Sequence, residues 1–333
     1  MKPLFHPRLV NTPEGDPGVL VEFLFERRAL LFDLGDNTPL SPRTLLSVTH
    51  AFISHTHMDH FIGFDRLVRL LVGRNKQLHL FGPPGLIDQV GHKLAAYTWN
   101  LVANYRADFA LAVTELGSGG RARHAHYHSR DAFRRSGETE SVISDGLLVD
   151  EPQFSVRHTL LDHRIPSVAY ALEEKQHINI WKNRLDELGL KTGPWLRELK
   201  RAILVGEADD TPVRAKGEDG ERLLSLGELK RSVVRIEPGQ KVAYVTDTAG
   251  HKANAERILQ LISGADTLFI ETPFLQEDAA MANEKYHLTA ARAGELARRA
   301  GVGRIVPFHY SARYPDGEAL AREALAAFEQ RDR

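Results

Sequence analysis

The sequence predicts an α/β protein in which strands and helices alternate along the chain and one long insertion interrupts them. Short apolar runs typical of buried strands, such as 51–53 and 78–81, are each followed by residues with helical spacing. The alternation returns at 241–245 and continues through the C-terminal region. The 333 residues are 42% hydrophobic and contain no low-complexity linker. We therefore expect a single domain over 1–333 with an arm inserted at 176–232.

The N-terminal third begins with a hairpin and then leads into a histidine-rich loop. Two β-rich runs, 19–24 and 29–33, flank the polar turn 26–28, which predicts two antiparallel strands. The apolar run 51–53 comes directly before the histidines, and apolar residues at helical spacing follow at 61–72. The histidine cluster is therefore predicted to lie on a loop between a strand and a helix.

The middle of the chain departs from this pattern. The polar stretch 117–140 predicts a surface excursion, after which strand-like runs resume at 154–161 and 168–172. Residues 176–232 are rich in Lys, Arg and Glu and lack strand alternation, which predicts a helical arm. Regular alternation then returns, with predicted strands at 241–245, 267–270 and 304–307 and predicted helices at 253–262 and 290–300.

The amino-acid composition limits the metal ligands, the location and the partners that we expect. There is no cysteine, which excludes disulfides and thiolate ligands and leaves histidine and carboxylate as the metal ligands. The N-terminal residues contain no apolar run of signal-peptide length, and no later run is long enough to span a membrane. We therefore expect a cytoplasmic protein with no membrane partner. With a net charge of −1, nucleic acid would have to bind at a local basic surface.

The segment His55-Thr56-His57-Met58-Asp59-His60 carries the strongest functional signal. It places three imidazoles and one carboxylate on a single loop. A loop can direct alternate side chains at one ion and the next pair at a second, whereas a helix with its fixed period cannot. A lone loop histidine is more often an ordinary surface or core residue, but this density of ligands after a buried strand favours a metal site.

Residues 55–60 match in full the His-x-His-x-Asp-His signature of the metallo-β-lactamase superfamily, which the chain therefore resembles. The resemblance implies an αββα sandwich, in which two facing β-sheets have helices outside and a site at one edge. It also implies two divalent ions per chain, with zinc as the expected metal and manganese or iron as alternatives. It assigns His55, His57 and His163 to one ion, Asp59, His60 and His309 to the other, Asp247 to both, and Asp33 to orienting a ligand histidine.

Several other histidines compete with this assignment. His158 precedes His163 by five residues and is the alternative ligand. We prefer His163 because the residues after it match the family better. His124, His126 and His128 alternate in a basic stretch without a nearby carboxylate, which predicts a solvated loop rather than a third metal site.

Three segments of the C-terminal third resemble ribonuclease Z, the tRNA 3′-processing endonuclease family. They surround Glu271, His287 and His309 and succeed one another at family-like distances. The resemblance implies that Glu271 pairs with His287 and that His287 protonates the departing 3′ oxygen, while Asp59 orients the attacking water. A surface histidine at a helix N-terminus is the alternative interpretation of His287.

The arm also carries part of the resemblance. Gly193-Pro194 stands where the family has a tRNA-clamping element, and the resemblance implies a homodimer in which one subunit's arm holds the tRNA cut by its partner. The candidate substrate-binding residues are Lys182, Arg184, Lys191, Gly193, Pro194, Arg197, Lys200 and Arg201. A solvated pair of helices is the alternative, and Trp181 and Trp195 either pack the arm or stack on RNA. The family's Pro-Lys-Arg-Asn-type substrate loop is not recognisable at 9–17.

These features predict a metal-dependent endoribonuclease that removes the 3′ trailer of precursor tRNA by hydrolysis of a phosphodiester with a two-metal-activated water. One alternative is a phosphodiesterase of the same fold that acts on another nucleic acid or a small diester. The other is a non-catalytic RNA-binding relative, which is disfavoured because every ligand position is filled. Hydrolysis of bis(p-nitrophenyl) phosphate distinguishes an enzyme from a binder, and cleavage of precursor tRNA at the acceptor stem distinguishes the two enzymes.

Overall fold

A computed structural model describes residues 4–24 and 26–330, so the first three residues of the N-terminal segment lie outside the described residues. The strands are β1 (Phe5–Leu9), β2 (Val19–Phe23), β3 (Ala29–Phe32), β4 (Val48–Phe52), β5 (Lys76–Gly82), β6 (Phe109–Leu116), β7 (Arg121–His128), β8 (Arg135–Val142), β9 (Leu147–Asp150), β10 (Phe154–Asp162), β11 (Pro166–Glu174), β12 (His177–Ile180), β13 (Pro212–Lys216), β14 (Glu221–Ser225), β15 (Val234–Glu237), β16 (Lys241–Val245), β17 (Thr267–Glu271) and β18 (Ile305–Phe308).

The helices are α1 (Pro42–Leu45), α2 (Met58–Phe61), α3 (Phe64–Leu71), α4 (Leu86–Ala95), α5 (Lys182–Glu187), α6 (Trp195–Leu204), α7 (Leu226–Val233), α8 (Lys252–Ile262), α9 (Ala279–Glu284), α10 (Ala290–Arg299) and α11 (Glu318–Glu329). Short 3-10 turns lie at Val102–Asn104, Ser118–Gly120, Ser129–Asp131, Ser144–Gly146 and Gln276–Asp278. None of the helices within the described residues combines the length and the apolar composition that a membrane span requires.

The chain divides into two compact units. The larger contains Met1–Leu148, Val156–Leu172 and Lys241–Arg333, and the smaller contains Val149–Ser155 and Glu173–Gln240. The arm predicted at 176–232 falls inside the sequence of the smaller unit. Whether the chain behaves as one domain remains a prediction.

Two sheets form the centre of the larger unit. One has the sequential order β1 to β8, with parallel pairing from β3 through β6 and antiparallel pairing at both ends. The other has the order β18-β17-β16-β11-β10-β9, and β16, β17 and β18 are parallel. Parallel strands need crossovers, which α8 and α10 provide between β16, β17 and β18.

Aromatic residues join the inner faces of the two sheets. The ring of Phe32 on β3 lies 5.9 Å from Tyr170 on β11 and 5.8 Å from Tyr244 on β16, and Phe52 lies 5.3 Å from Tyr170. On the outer faces, α1 to α4 pack on the first sheet, and α8, α10 and α11 pack on the second. The predicted αββα sandwich is therefore confirmed.

Two details of the prediction are wrong. The polar stretch at 117–140 is largely strands β7 and β8, and β8 is exposed along its whole length, so it lacks the apolar alternation by which a strand is recognised. The arm also contains strands, because β12 pairs with β15 and β13 with β14. Apolar residues of these strands and of α5 to α7, including Leu185 and Leu229, form a separate core within the smaller unit.

Candidate metal centre

Strand ends of the larger unit supply the predicted site. Six of the functional residues lie at the last residue of a strand or in the loop that follows it: Asp33 after β3, His55 after β4, His163 after β10, Asp247 after β16, Glu271 at the end of β17, and His309 after β18. Carboxyl ends of adjacent parallel strands meet at one edge of a sheet, so residues distant in sequence converge there. His57 precedes α2, and Asp59 and His60 lie within it.

The backbone at this edge adopts conformations that L-residues avoid. Asp33, Asp247 and His309 have φ of 58°, 43° and 61°, and Arg164 and Tyr286, which flank His163 and His287, have φ of 63° and 62°. A non-glycine residue in the left-handed region carries strain that the surrounding structure must offset. Such strain concentrates at functional sites, and these five residues are predicted site residues or neighbours of His163 and His287.

Asp247 lies between two groups of histidines. Its Oδ2 is 3.5 Å from His55 Nε2 and 3.4 Å from His163 Nε2. Its Oδ1 is 3.5 Å from His60 Nε2 and 3.1 Å from His309 Nδ1. One carboxylate therefore presents a separate oxygen to each group, which is the arrangement a bridging ligand requires.

The predicted ligands lie close enough to form two sites. Ligand atoms of His55, His57, His163 and Asp247 lie within 4.8 Å of one another, and so do those of Asp59, His60 and His309. Asp59 Oδ2 is 3.4 Å from His60 Nε2 and 3.6 Å from His309 Nε2. A further grouping within the same limit joins Asp247 and His309 to Glu271 and His287.

Buried hydrogen bonds hold the ligand rings in place. Asp33 Oδ2 accepts a hydrogen bond of 2.8 Å from His60 Nδ1, and His163 Nδ1 donates to the carbonyl of Tyr286 at 2.8 Å. In each ring the other nitrogen, Nε2, is directed towards Asp247. This is the outer support that metal-binding histidines ordinarily have.

The side chains present fit divalent cations. Nε2 of His55 and of His60 and Nδ1 of His309 are buried without a hydrogen-bond partner, which is costly unless another group satisfies them. Burial and the neighbouring His60 lower the pKa of His55 to about 2, so its imidazole is neutral, the form that binds a metal. Burial opposes charge on His309, yet Asp247 and Asp59 raise its pKa to about 10, so the carboxylates of the site favour positive charge.

Glu271 and His287 form a pair beside this centre. Glu271 Oε2 lies 2.8 Å from His287 Nδ1, and Oε1 accepts from the backbone N–H groups of Thr248 and Leu288. Burial alone would raise the pKa of Glu271, but the adjacent His287 holds it at about 2. Burial likewise opposes charge on His287, and Glu271 outweighs it and raises the pKa of His287. The ring of His287 lies 4.8 Å from that of His163.

The competing histidines lie elsewhere. His158 is in the middle of β10, where its Nδ1 bonds to the carbonyl of Gly146 at 2.9 Å. His124 bonds to Thr114 and Ser141, and His128 to Asp108. Among the described residues, none of these histidines belongs to a potential ligand group. The expectation of a solvated loop at 124–128 is wrong, because these residues belong to β7.

The candidate arm residues all lie in the smaller unit, but their surroundings differ. Lys182, Lys191 and Arg197 are exposed, and Pro194 precedes α6. Arg184 and Arg201 form exposed ion pairs with Glu187 and Glu207 at 2.8 Å. Lys200 is half-buried, and burial lowers its pKa while the carboxylate of Glu174 opposes that shift. Lys200 is therefore less available to a phosphate than the others.

Two residues that support the site, Tyr244 and Ser54, were not predicted from the sequence. Tyr244 donates to Asp33 Oδ2 at 2.7 Å, and Ser54 reaches both oxygens of Asp33 through its backbone N–H and its hydroxyl. Tyr244 lies in the apolar strand β16 and has the pattern of a core residue. A serine between a buried strand and a ligand histidine is likewise inconspicuous, so only the fold identifies either one.

Comparison with known proteins decides the family. A profile of the β-lactamase superfamily domain matches residues 202–310. Ribonuclease Z of Deinococcus radiodurans is 31% identical to this chain over 304 residues, which cover 90% of the chain and 88% of the relative. The chain belongs to the ribonuclease Z family. Ribonuclease Z of Enterococcus faecalis is 29% identical over 324 residues, which cover 93% of the chain and 87% of the relative. Membership confirms the resemblance and the predicted hydrolase class.

Solved structures agree on the fold. Human tRNase Z, short form, superposes with a TM-score of 0.53 at 20% identity and covers 93% of this chain and 92% of its own. The metallo-β-lactamase fold protein YhfI of Bacillus subtilis gives 0.52 at 15% identity, with coverage of 97% and 94%. At these identities the likeness shows the metallo-β-lactamase fold, as predicted.

Proposed function

We propose that the protein is a metal-dependent endoribonuclease that removes the 3′ trailer of precursor tRNA. The observation that carries the proposal is the position of Asp247 between two histidine groups, with the Glu271–His287 pair beside it. The names of the relatives, ribonuclease Z and tRNase Z, support a tRNA substrate.

The proposed ligand set is His55, His57 and His163 for one ion and Asp59, His60 and His309 for the other, with Asp247 shared between them. Zinc is the ion we propose, because imidazole and carboxylate suit it and the chain has no thiolate. Two divalent ions held there would lower the pKa of a shared water and neutralise charge on the phosphodiester.

Asp59, Glu271 and His287 have separate roles in proton transfer. Asp59, whose side chain is 44% exposed, accepts a hydrogen bond from the attacking water and orients it. Glu271 holds His287 through Nδ1 at 2.8 Å, which leaves Nε2 to face the substrate. Glu271 raises the pKa of His287, which favours the imidazolium that donates its proton to the departing 3′ oxygen.

We further propose that the arm binds tRNA and that the protein acts as a homodimer. Exposed basic side chains of the smaller unit, such as Lys182 and Arg197, hold tRNA phosphates. The active form is a homodimer in which each arm presents tRNA to the other subunit's centre. A cytoplasmic location remains a prediction.

The test is incubation of metal-loaded protein with an unmodified precursor tRNA that carries a 3′ trailer, with the product end mapped. We expect one endonucleolytic cut at the end of the acceptor stem, and none with His60→Ala. Hydrolysis of bis(p-nitrophenyl) phosphate without any tRNA cleavage would instead make the protein a phosphodiesterase with another substrate.

A further inference from the structure

The smaller unit contains a cavity of about 580 Å³ that the proposed chemistry does not use. Its walls come from α5, α7 and β15, and they include Trp181, Arg184, Arg231 and Arg235. The cavity is within the range of volumes typical of small-ligand sites, roughly 300–1,000 Å³. Gly193 and Pro194, the family-matching pair of the arm, are not part of its lining.

The two arm tryptophans have different environments. Trp195 is 6% exposed, packs in the core of the smaller unit and donates from Nε1 to the carbonyl of Lys191 at 2.8 Å. Trp181 is 42% exposed and lines the cavity. Its backbone is fixed, because its N–H donates to Val233 at 2.9 Å and its carbonyl accepts from Leu185 at 3.1 Å. Trp195 therefore packs the arm, and Trp181 presents an exposed indole on a fixed backbone, open to a ligand.

The charge around Trp181 favours an anion. The guanidinium of Arg184 lies 5.9 Å from the centre of the indole ring and pairs with Glu187, the cavity's carboxylate, at 2.8 Å. Arg235 is positioned by Glu237 at 3.0 Å. Among the described residues, no carboxylate lies within ion-pair distance of Arg231, which is exposed at the rim. The lining thus has a positive excess beside an exposed aromatic ring.

We propose that this cavity, which we call the Trp181 pocket, binds an unpaired nucleotide of the RNA substrate, with its base stacked on Trp181 and its phosphate held by Arg231 and Arg235. An aromatic platform flanked by arginines is the combination that recognises single-stranded RNA, because every base has a π-face and every nucleotide carries a phosphate. An acidic peptide would use the arginines but not the indole. The proposal rests on the proposed function, since it assumes that the substrate is RNA.

The test compares the wild-type protein with Trp181→Leu, Trp181→Phe and Arg231→Ala. Arg214→Ala is the matched control, because Arg214 is an exposed arginine of the same unit outside the pocket. We expect Trp181→Leu to raise KM for precursor tRNA about tenfold with kcat unchanged, because that is the scale of one lost base stack. Trp181→Phe should retain most of the affinity. Arg231→Ala should weaken binding and reduce the slope of log affinity against log salt concentration by about one, because one phosphate contact is lost.

Binding of a short oligouridylate, followed by tryptophan fluorescence, tests the pocket apart from cleavage. We expect quenching that Trp181→Leu abolishes and that polyglutamate does not compete away. If wild-type protein cleaves precursor tRNA and Trp181→Leu changes neither KM nor quenching, the pocket is refuted and the proposed function stands. Equal competition by polyglutamate would overturn the nucleotide as the ligand. If the wild-type protein cleaves no tRNA, the proposed function fails. Quenching by the oligouridylate then shows by itself whether the Trp181 pocket binds a nucleotide.

Discussion

Asp33 Oδ2 lies 2.8 Å from His60 Nδ1, and both side chains are fully buried. Tyr244 and Ser54 donate to the same Asp33 carboxylate, so the aspartate is itself fixed before it orients the histidine. The His60 ring thus cannot turn its Nε2 away from Asp247 without breaking a buried network, which makes the position of this proposed ligand depend on residues outside the proposed ligand set.

Asp33→Asn should weaken metal binding on the His60 side by about 10- to 100-fold, the usual effect of losing an outer partner of a ligand histidine. The measurement is competition with a chromophoric chelator. Asp65→Asn is the control, because Asp65 is paired with Lys93 on α3 and α4. Unchanged affinity in Asp33→Asn would show that the ring is held by packing alone.

Asp247→Ala should reduce metal content more than any single histidine variant, because its two oxygens face both histidine groups. We expect close to two divalent ions per wild-type chain and fewer in His60→Ala and Asp247→Ala, measured by elemental analysis after dialysis. Full metal content in Asp247→Ala would contradict the bridging role.

His287→Ala should impair substrates with poor leaving groups more than substrates with good ones. A ribose 3′ oxygen needs a proton on departure, whereas p-nitrophenolate needs little. Cleavage of precursor tRNA should therefore fall by roughly 100-fold or more while hydrolysis of bis(p-nitrophenyl) phosphate falls less. His158→Ala is the matched control. Equal losses on the two substrates would remove His287 from the acid role.

The arm can be removed at a defined point, because His177 on β12 is the antiparallel partner of Glu237 on β15. Replacing 178–236 with Asn-Gly should close a hairpin there. We expect metal content and bis(p-nitrophenyl) phosphate hydrolysis to persist, while tRNA binding weakens and loses salt dependence. Loss of diester hydrolysis in a folded variant would place the arm in the catalytic site, and unchanged tRNA binding would contradict its role in holding tRNA.

We expect His50 to lower the free energy of unfolding in mild acid, because its imidazole is protonated more readily in the unfolded state. Burial, followed by the charges of His79 and Arg28, lowers the pKa of His50 to about 3, below the unfolded value of 6.5. The unfolded state therefore binds more protons between those values, and the free energy of unfolding falls by about 1.4 kcal/mol per pH unit as the pH drops through this window. His50→Phe, which keeps the stacking on Phe52 and Phe81, removes this dependence.

The measurement is urea unfolding of both proteins at pH 7.5 and 5.5 in the presence of a chelator. Histidines of the metal centre contribute equally to both and cancel. Between the two pH values the wild type should lose about 1.4 kcal/mol more than the variant. If the free energy of unfolding falls by the same amount in both proteins, His50 is protonated in the folded state.

Local patterns predicted the elements whose side chains alternate between core and solvent or are apolar throughout. The strand predicted at 241–245 agrees with β16, and the helix predicted at 253–262 agrees with α8 within one residue. β8 was missed because an exposed edge strand has no apolar face. β12 was missed because its partner β15 lies more than fifty residues away in sequence, so neither strand is recognisable from its own residues.

The site was predicted only as far as its residue types. The sequence and the family resemblance named Asp247, but its separate approach to two histidine groups depends on a left-handed backbone at that residue, which no local pattern indicates. The ligand roles therefore remain predictions that the geometry supports. The Trp181 pocket depends on α5, α7 and β15 coming together and has no contiguous motif.

The order of the site residues along the chain has a consequence for biosynthesis. His55 to His60 are translated early, whereas Asp247 and His309 belong to the last third of the 333 residues. The arm at 176–232 is therefore synthesised before Asp247 and His309, and the proposed centre is complete only after His309 has been added. With the roles proposed above, a chain that terminates before His309 lacks one proposed ligand, so premature termination yields a product without the complete metal centre.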